Sequence, residues 1–345
     1  MKTLRLLVGT YKEKQGIWEL RLDVEGKNVL SSRCVSRTRR NSYLAVRKDF
    51  CLAVSETPLA EGNTGALHSF RITDEGLEPI HSLENLPCLL PHLWANRAGT
   101  VVYTASYGTG EILAIRMKDG TFGDIISHTQ NVGSSVNPKR QTCAHPHSVW
   151  LSPDEQFLYL CDLGTDEIIW WPLNNDGSIS LKKKRSLRVP AGYGPRHMVF
   201  SPDGKRAYAL CEMAYHVLVM EIGADGSLKI AKDVSLEGDI PREEQNGGAI
   251  RMSPNGESLY CSNRSRIRSR IDLLCPETLE VIGKSLTNCL WPRDFYLTED
   301  GHWLLCGNQM DNSLSVFQKN AGGEMKFYWK IPEIPTPVCV AALEN

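Results

Sequence analysis

Long apolar runs are missing from this sequence. No stretch of its 345 residues approaches the roughly 18 consecutive apolar residues that a membrane-spanning helix needs. The opening segment, MKTLRLLVGTYKEK, holds an apolar stretch too short for a secretory signal. These absences predict a soluble, cytoplasmic protein.

An excess of charge is also missing. The 39 basic residues are offset by 40 acidic ones, which leaves a net charge of −1. A surface that binds nucleic acid or a membrane needs a basic excess, so we expect neither partner. The basic runs at 37–40 and 182–185 are better explained as strand edges that carry Arg and Lys against aggregation.

The cysteines lack the spacing of a metal site or a redox motif. There are eleven, and no two of them form a C-x-x-C pair. Several lie inside apolar runs, namely Cys161, Cys211, Cys261 and Cys306. This usage predicts free, buried thiols in a reducing compartment.

Common catalytic and cofactor motifs are absent as well. The sequence has no G-x-S-x-G elbow of the serine hydrolases, no P-loop, and no G-x-G-x-x-G in a strand-to-helix context. We therefore expect no nucleotide cofactor.

What the sequence does contain is a repeat. HPHSVWLSPDEQFLYLCD, GPRHMVFSPDGKRAYALCE, NGGAIRMSPNGESLYCSN and WPRDFYLTEDGHWLLCGN each consist of an apolar strand, a turn and a second apolar strand. The turns Asp-Gly and Asn-Gly between apolar runs are strong hairpin signals. Aligned on the position after the second strand, seven copies place there Thr10, Glu56, Ser106, Asp162, Glu212, Asn263 and Asn308.

The copies are spaced by 45 to 56 residues, and each continues into two further strand-like segments. A repeat of this length made only of short strands predicts an all-β, seven-bladed β-propeller with four-stranded blades. The first copy lacks its first strand, whereas the C-terminal TPVCVAAL resembles one with nothing after it. We expect the C-terminal strand to complete the N-terminal blade and close the ring, so that residues 1–345 form a single domain.

In a hairpin, the residue before the first strand and the residue after the second lie at the same end. Every blade therefore delivers two positions to one rim of the central channel. The chemically capable residues at these positions include Tyr11, Glu56, His92, Tyr107, His145, His147, Asp162, Arg196, His197, Glu212, Asn263, Arg264, Arg293, Asp294 and Asn308. Converging polar groups in a concave place predict a binding site.

Not every rim residue needs a role in binding. Short polar side chains such as Asp162, Asn263 and Asn308 are equally suited to capping turns. Long charged side chains are harder to explain by structure alone. A buried charge persists only when it is paired with an opposite charge or takes part in function. Strict alternation along the strand turns His197 away from Arg196, which predicts that this histidine either packs in the interior or supports the residues that contact the ligand.

A metal site is the other chemistry that these residues allow. His145 and His147 could supply two ligands, and Glu212 or Asp162 a third. The arginines expected nearby disfavour a divalent cation, so we predict that no metal is bound.

At these residues the sequence resembles the lactonase family of seven-bladed propellers, which includes the propeller-type 6-phosphogluconolactonase and the fungal 3-carboxy-cis,cis-muconate lactonizing enzyme. The resemblance runs from VGTY to TPVCV. It implies a metal-free site at the channel mouth, with the family's histidine at His147, its arginines at Arg196 and Arg264, and its glutamate at Glu212. One departure follows the motif SNR, where SRIRSR adds Arg266, Arg268 and Arg270. Their spacing of two predicts that they share one face of a strand or hairpin arm, where they either help to hold a phosphate or simply form an exposed edge.

The resemblance implies hydrolysis of a sugar lactone, in first place 6-phospho-D-glucono-1,5-lactone, without a cofactor. The expected catalytic residues are His147, Glu212 and Arg264, with either His147 or Glu212 as the base. The expected binding residues for the small anionic substrate are Arg196, His145, Arg293 and Tyr107. The alternatives are a muconate-type cycloisomerase and a non-catalytic propeller that binds a metabolite or a protein.

Overall fold

The computed structural model describes residues 3–57, 64–238, 240–321 and 323–343. Within these ranges the chain forms 28 strands and no α-helix, with two 3-10 helices at Leu181–Lys183 and Arg242–Glu244. No helix of the described chain is long and apolar enough to cross a membrane.

The strands form seven four-stranded antiparallel sheets. The first blade draws on β1 (Thr3–Thr10), β2 (Ile17–Asp23) and β3 (Asn28–Ser36), and the second contains β4 (Asn41–Arg47), β5 (Phe50–Ser55), β6 (Gly65–Thr73) and β7 (Gly76–Leu86). The third contains β8 (His92–Ala95), β9 (Val101–Ala105), β10 (Glu111–Lys118) and β11 (Thr121–Gln130), and the fourth β12 (Pro146–Leu151), β13 (Phe157–Asp162), β14 (Glu167–Pro172) and β15 (Arg185–Arg188). The fifth contains β16 (Pro195–Phe200), β17 (Arg206–Cys211), β18 (His216–Ile222) and β19 (Leu228–Ser235), and the sixth β20 (Asn246–Met252), β21 (Leu259–Arg264), β22 (Arg270–Leu274) and β23 (Val281–Leu286). The seventh contains β24 (Pro292–Leu297), β25 (Trp303–Asn308), β26 (Ser313–Lys319) and β27 (Met325–Ile331), and β28 (Pro337–Leu343) ends the described chain.

The C-terminal strand closes the ring, as the sequence predicts. Strand β28 pairs antiparallel with β1, with Leu6 opposite Ala342 and Val8 opposite Val340. The innermost strands β28, β4, β8, β12, β16, β20 and β24 each contact the next around a complete circle. The chain is therefore an all-β, seven-bladed propeller whose first blade is shared between the two ends of the sequence.

The hydrophobic core lies between neighbouring blades. Trp303 of the seventh blade, for example, belongs to the same buried cluster as Leu6 and Val8 of the first. Full burial of such a side chain contributes about 1.5–3 kcal/mol, so blade-to-blade contacts stabilise the ring.

Turn chemistry explains why the repeat sequence folds into hairpins. Gly204 in the SPDG turn has a φ of +70°, a conformation that glycine adopts without a steric penalty. The hydroxyl of Ser201 accepts a hydrogen bond from the backbone N–H of Arg206 at 2.9 Å, which fixes the turn. These turns lie at the opposite end of the hairpins from the charged residues, so they leave the other rim for the site.

Candidate active site at the channel mouth

Bulges at the entrances of three inner strands present the site residues. The pairing register of β12 slips between Pro146 and Ser148, that of β16 between Pro195 and His197, and that of β24 between Pro292 and Asp294. The extra residues are His147, Arg196 and Arg293. A bulge re-aims a side chain and interrupts the ladder, and bulges are frequent beside active sites. In the sequence, a Pro-His or Pro-Arg pair at the strand entrance marks each of these three bulges.

Glu212 lies at the centre of the site, directly after β17, and is buried. Its Oε2 atom is 3.1 Å from Nε of Arg196 and 2.7 Å from Nη2 of Arg264. Its Oε1 atom is 2.6 Å from Nη2 of Arg140. One carboxylate therefore holds three guanidinium groups in fixed positions, through charge-assisted hydrogen bonds.

The two buried arginines are also anchored to the backbone. Nη1 of Arg196 donates to the carbonyl of Gly248 at 2.5 Å, and Arg264 donates from Nε and Nη2 to the carbonyl of Gly247 at 3.1 and 2.7 Å. The guanidinium of Arg264 also lies 5.5 Å from the ring centre of Trp291. These contacts pre-organise both arginines before any ligand arrives.

Arg140 is the site residue that the sequence analysis missed. It belongs to the segment 131–145, the longest connection between two blades, and not to a repeat register. Asn137 shapes this segment by accepting the backbone N–H groups of Lys139 and Arg140 at 3.0 and 3.1 Å. Nη2 of Arg140 also donates to the hydroxyl of Tyr107 at 3.4 Å, which joins Tyr107 to the Glu212 network. The unusual length of the connection and its NPKR motif were the only available signals.

Arg293 forms a second charged group with Tyr11 and Glu56. Its Nη2 atom donates to the Tyr11 hydroxyl at 2.6 Å and lies 3.9 Å from Oε2 of Glu56. The Tyr11 hydroxyl in turn donates to Glu56. Burial, opposed by Arg293, raises the pKa of Tyr11, so this phenol remains a hydrogen-bond donor at neutral pH.

The two histidines of the HPH motif have different surroundings. His147 is buried, and within the described chain its Nδ1 atom has no hydrogen-bond partner. Half-buried His145 stacks on Tyr107, with ring centres 4.2 Å apart and planes inclined by 11°. The ring of His147 meets the same tyrosine edge to face at 6.0 Å. The predicted residues His145, His147 and Tyr107 therefore lie together.

The charges of the site do not balance. Its four guanidinium groups and two carboxylates belong to Arg140, Arg196, Arg264, Arg293, Glu56 and Glu212. Burial alone raises the pKa of Glu212, but Arg264, Arg140 and Arg196 outweigh it and hold the pKa well below the usual glutamate range. Four guanidinium groups against two carboxylates give the site a formal net charge of plus two, which suits an anionic ligand.

Burial, reinforced by Arg196, lowers the pKa of His147 well below its usual value. The imidazole is therefore neutral at pH 7 and can accept a proton. Glu212 is a poor proton acceptor, because its pKa is held low and its three arginine partners occupy both of its oxygens.

His197 does not turn away from Arg196, because the bulge breaks the alternation and brings Arg196 Nη1 to 3.1 Å from His197 Nε2. The packing role of His197 is correct, since it is buried against Trp150 with ring centres 5.8 Å apart.

The three additional arginines do not share one strand face. Arg266 and Arg268 are exposed in the turn between β21 and β22, whereas Arg270 lies buried in β22. Nε of Arg270 is 2.8 Å from Oδ1 of Asp272, so this arginine has a structural partner. Arg266 lies 5.7 Å from the ring centre of Trp291, at the edge of the site.

Asp162 is a capping residue. Its Oδ1 atom accepts the backbone N–H groups of His145, Gly164 and Thr165 at 2.8, 2.9 and 3.2 Å. Asn308 likewise donates to the Ser315 hydroxyl at 2.9 Å, inside its own blade. Among the residues described, no three His, Cys, Asp or Glu side chains are grouped as a metal site would require.

Comparison with known proteins assigns the family. A model of the lactonase family, described as a seven-bladed β-propeller, matches residues 5–342. The 6-phosphogluconolactonase of Bacillus subtilis is 25% identical, with 98% of each chain covered. A protein of Staphylococcus epidermidis without a named activity is 27% identical, over 96% of this chain and 98% of its own.

Two solved structures are similar over the whole length. The periplasmic gluconolactonase PpgL of Pseudomonas aeruginosa superposes with a TM-score of 0.89 at 25% identity, covering 99% of both chains. A Lactobacillus plantarum protein superposes with a TM-score of 0.90 at 26% identity, covering 99% of this chain and all of the other. The chain belongs to the lactonase family of seven-bladed β-propellers.

Proposed function

We propose that this protein hydrolyses a sugar lactone, and that the substrate is 6-phospho-D-glucono-1,5-lactone. The observation that carries the proposal is the Glu212 carboxylate with its three arginines at the channel mouth. The family match and the named activity of the Bacillus relative support the same reaction.

The net positive charge supports an anionic lactone over a neutral one. The negative charge of a phosphate dianion neutralises the net positive charge of the site. The planar guanidinium groups also match the geometry of the phosphate oxygens. Arg266 extends this positive surface beyond Trp291, where an exposed guanidinium can reach the phosphate end of a bound sugar.

In the mechanism that we propose, Arg264 and Arg196 stabilise the oxyanion that forms when water adds to the lactone carbonyl. Their anchoring to Glu212 and to backbone carbonyls avoids reorganisation during the reaction. Glu212 thus acts by positioning the arginines.

His147 takes the proton from the attacking water and then returns a proton to the ring oxygen that leaves. Burial, reinforced by Arg196, depresses the pKa of this imidazole, and a bound phosphate dianion offsets the arginine contribution, so His147 becomes a better base in the complex. Tyr107, His145 and Arg293 bind the sugar hydroxyls around the rim.

A coupled assay with freshly made lactone tests the activity, using phosphogluconate dehydrogenase to detect the product. The proposal predicts acceleration well above spontaneous hydrolysis. Thermal unfolding with 6-phosphogluconate, gluconate and 3-carboxymuconate tests the substrate class, and the phosphorylated acid should stabilise the protein most. Stabilisation by the carboxymuconate alone, with no lactone hydrolysis, would instead indicate a cycloisomerase.

A further inference from the structure

Beside the arginine cluster, the rim of the channel carries a cysteine–histidine pair. The Sγ atom of Cys143 is 3.7 Å from Nε2 of His145. Of the eleven cysteines, all of which lie in the described ranges, Cys143 is the one that is exposed. The mechanism above uses neither this thiol nor its contact with the imidazole.

The hydrogen bonds of His145 fix which nitrogen faces the thiol. Its Nδ1 atom is 2.7 Å from the carbonyl oxygen of Tyr107. A carbonyl oxygen only accepts hydrogen bonds, so Nδ1 carries the hydrogen and Nε2 presents its lone pair to Cys143. A nucleophile, a base and a group that orients the base are the parts of an activated thiol.

The backbone around the pair is held in place. Gln141 is fully buried and donates from Nε2 to the carbonyl of Leu163 at 2.9 Å. Gly164 packs so closely that a Cβ atom there would lie 2.0 Å from the carbonyl oxygen of Cys143. The Cys143–His145 contact therefore belongs to a well-packed segment, which Asp162 also caps at the N–H of His145.

We propose that Cys143 and His145 form a modification site for low-molecular-weight disulfides, and that the adduct blocks the channel mouth. His145 Nε2 takes the thiol proton, and the Cys143 thiolate attacks one sulfur of the disulfide. The disulfide bond breaks as the new sulfur–sulfur bond forms, and the departing thiolate takes the proton from His145. One thiol and one disulfide are consumed, and one thiol and one mixed disulfide are formed.

Charge favours an anionic disulfide at this site. The same segment carries Arg140, and Lys139 is exposed next to it. His145 is stacked on Tyr107, whose hydroxyl contacts Arg140, so an adduct on Cys143 lies against the rim where the substrate enters. This consequence for activity depends on the proposed function, whereas the modification itself does not.

The test incubates the full-length protein with oxidised glutathione at pH 7 and follows each cysteine by peptide mass spectrometry. Cys275 is an internal control, because it is half-exposed and its thiol bonds to Thr278, which lowers its pKa. We expect Cys143 to react at least about tenfold faster than Cys275, since a positioned base contributes 10²–10⁴-fold. His145→Asn keeps a donor near the Nδ1 position but removes the base, and should slow Cys143 to the rate of Cys275.

Lactone hydrolysis is measured in the same samples. The modified wild type should lose activity and regain it with dithiothreitol, while Cys143→Ser should keep its activity throughout. Equal rates for Cys143 and Cys275, or an unchanged Cys143 rate in His145→Asn, would overturn the modification site. A fully modified protein with full activity would overturn the blocking effect. If the protein hydrolyses no lactone, the labelling rates still decide whether the pair is activated.

Discussion

In the proposed mechanism, Glu212 organises the site without carrying out its chemistry. Three guanidinium groups converge on its two oxygens, and two of these groups are buried with it. Removing one partner of a buried ion pair costs about 3–5 kcal/mol, because the remaining charge is left uncompensated. Glutamate at this position therefore stabilises the arginines that a substrate anion would contact.

Arg266 tests whether the additional arginines contribute to substrate choice. Arg266→Ala should raise KM for 6-phosphogluconolactone about tenfold, because it removes one charge-assisted contact to phosphate. KM for the unphosphorylated gluconolactone should not change. Arg188→Ala, which removes an exposed arginine from the outer strand β15, is the matched control. Equal effects of Arg266→Ala on both lactones would contradict a phosphate contact.

The pKa shift of His147 predicts an unusual pH profile. Burial, reinforced by Arg196, lowers its pKa in the free protein, so the neutral base persists as the pH falls below 6.5, and kcat/KM for the unphosphorylated lactone should not fall where an ordinary imidazole titrates. A bound phosphate raises this pKa again, so kcat for the phospholactone should begin to fall at a higher pH. Initial rates between pH 4.5 and 7.5 measure the pH dependence of both quantities, kcat/KM for the unphosphorylated lactone and kcat for the phospholactone. A fall of kcat/KM centred near pH 6.5 would contradict the lowered pKa of His147.

At the scale of elements, hairpin geometry predicted that these residues meet at one rim, and they do, because the ends of two antiparallel strands must be neighbours. Strict alternation failed at the strand entrances, where bulges insert His147, Arg196 and Arg293 out of register. The two-residue alternation of side chains along a strand does not reveal an extra residue in one strand of a pair. The assignment of His197 was geometrically wrong for this reason.

The segment 131–145 shows a second limit of the repeat pattern. Arg140 occupies no repeat position, and its route to Glu212 depends on a local contact of Asn137 and a tertiary contact of Gln141. The length of an insertion can be read from a sequence, but its path cannot. The prediction for the SRIRSR segment was wrong for a similar reason. A turn separates Arg266 from Arg270, so the arginines do not share one face of a strand.

Gln141 provides a test of this segment as a unit. Gln141→Ala removes a buried amide whose Oε1 accepts the N–H of Asn137 at 3.0 Å, so Arg140 should lose its fixed position. Gln141→Ala should reduce kcat/KM about as much as Arg140→Ala, and the double variant should be no worse than either. Additive losses, measured with the lactone assay, would show that Gln141 and Arg140 act independently.

At the scale of the whole molecule, ring closure by β28 was predictable because the first repeat lacked a strand that the last segment supplied. The identity of the family followed from the repeat motifs, whereas the substrate depends on charges that only the folded rim brings together. Buried histidines have their own consequence for stability. Four histidines are largely buried with lowered pKa values, namely His68, His92, His147 and His197.

These histidines predict acid sensitivity. Burial lowers the pKa of His68 to about 4, and burial also holds the other three well below 6.5. The unfolded chain therefore binds more protons below pH 6.5, and the stabilisation that is complete above this pH is lost as the pH falls. Each histidine contributes about 1.4 kcal/mol per pH unit in that window. Urea unfolding should show a steep loss between pH 6.5 and 5 that His197→Gln reduces, and equal stability at both pH values would contradict buried neutral histidines.

The central claim is that the arginine cluster on Glu212 catalyses lactone hydrolysis. Its most direct test is kcat/KM for fresh 6-phosphogluconolactone, measured side by side for the wild type, Arg264→Ala and the control Arg188→Ala. We predict clear catalysis by the wild type and the control, and a loss of at least about a hundredfold in Arg264→Ala, the usual effect of removing an oxyanion donor. A wild type that does not exceed spontaneous hydrolysis, or an Arg264→Ala variant with full activity, would contradict the account.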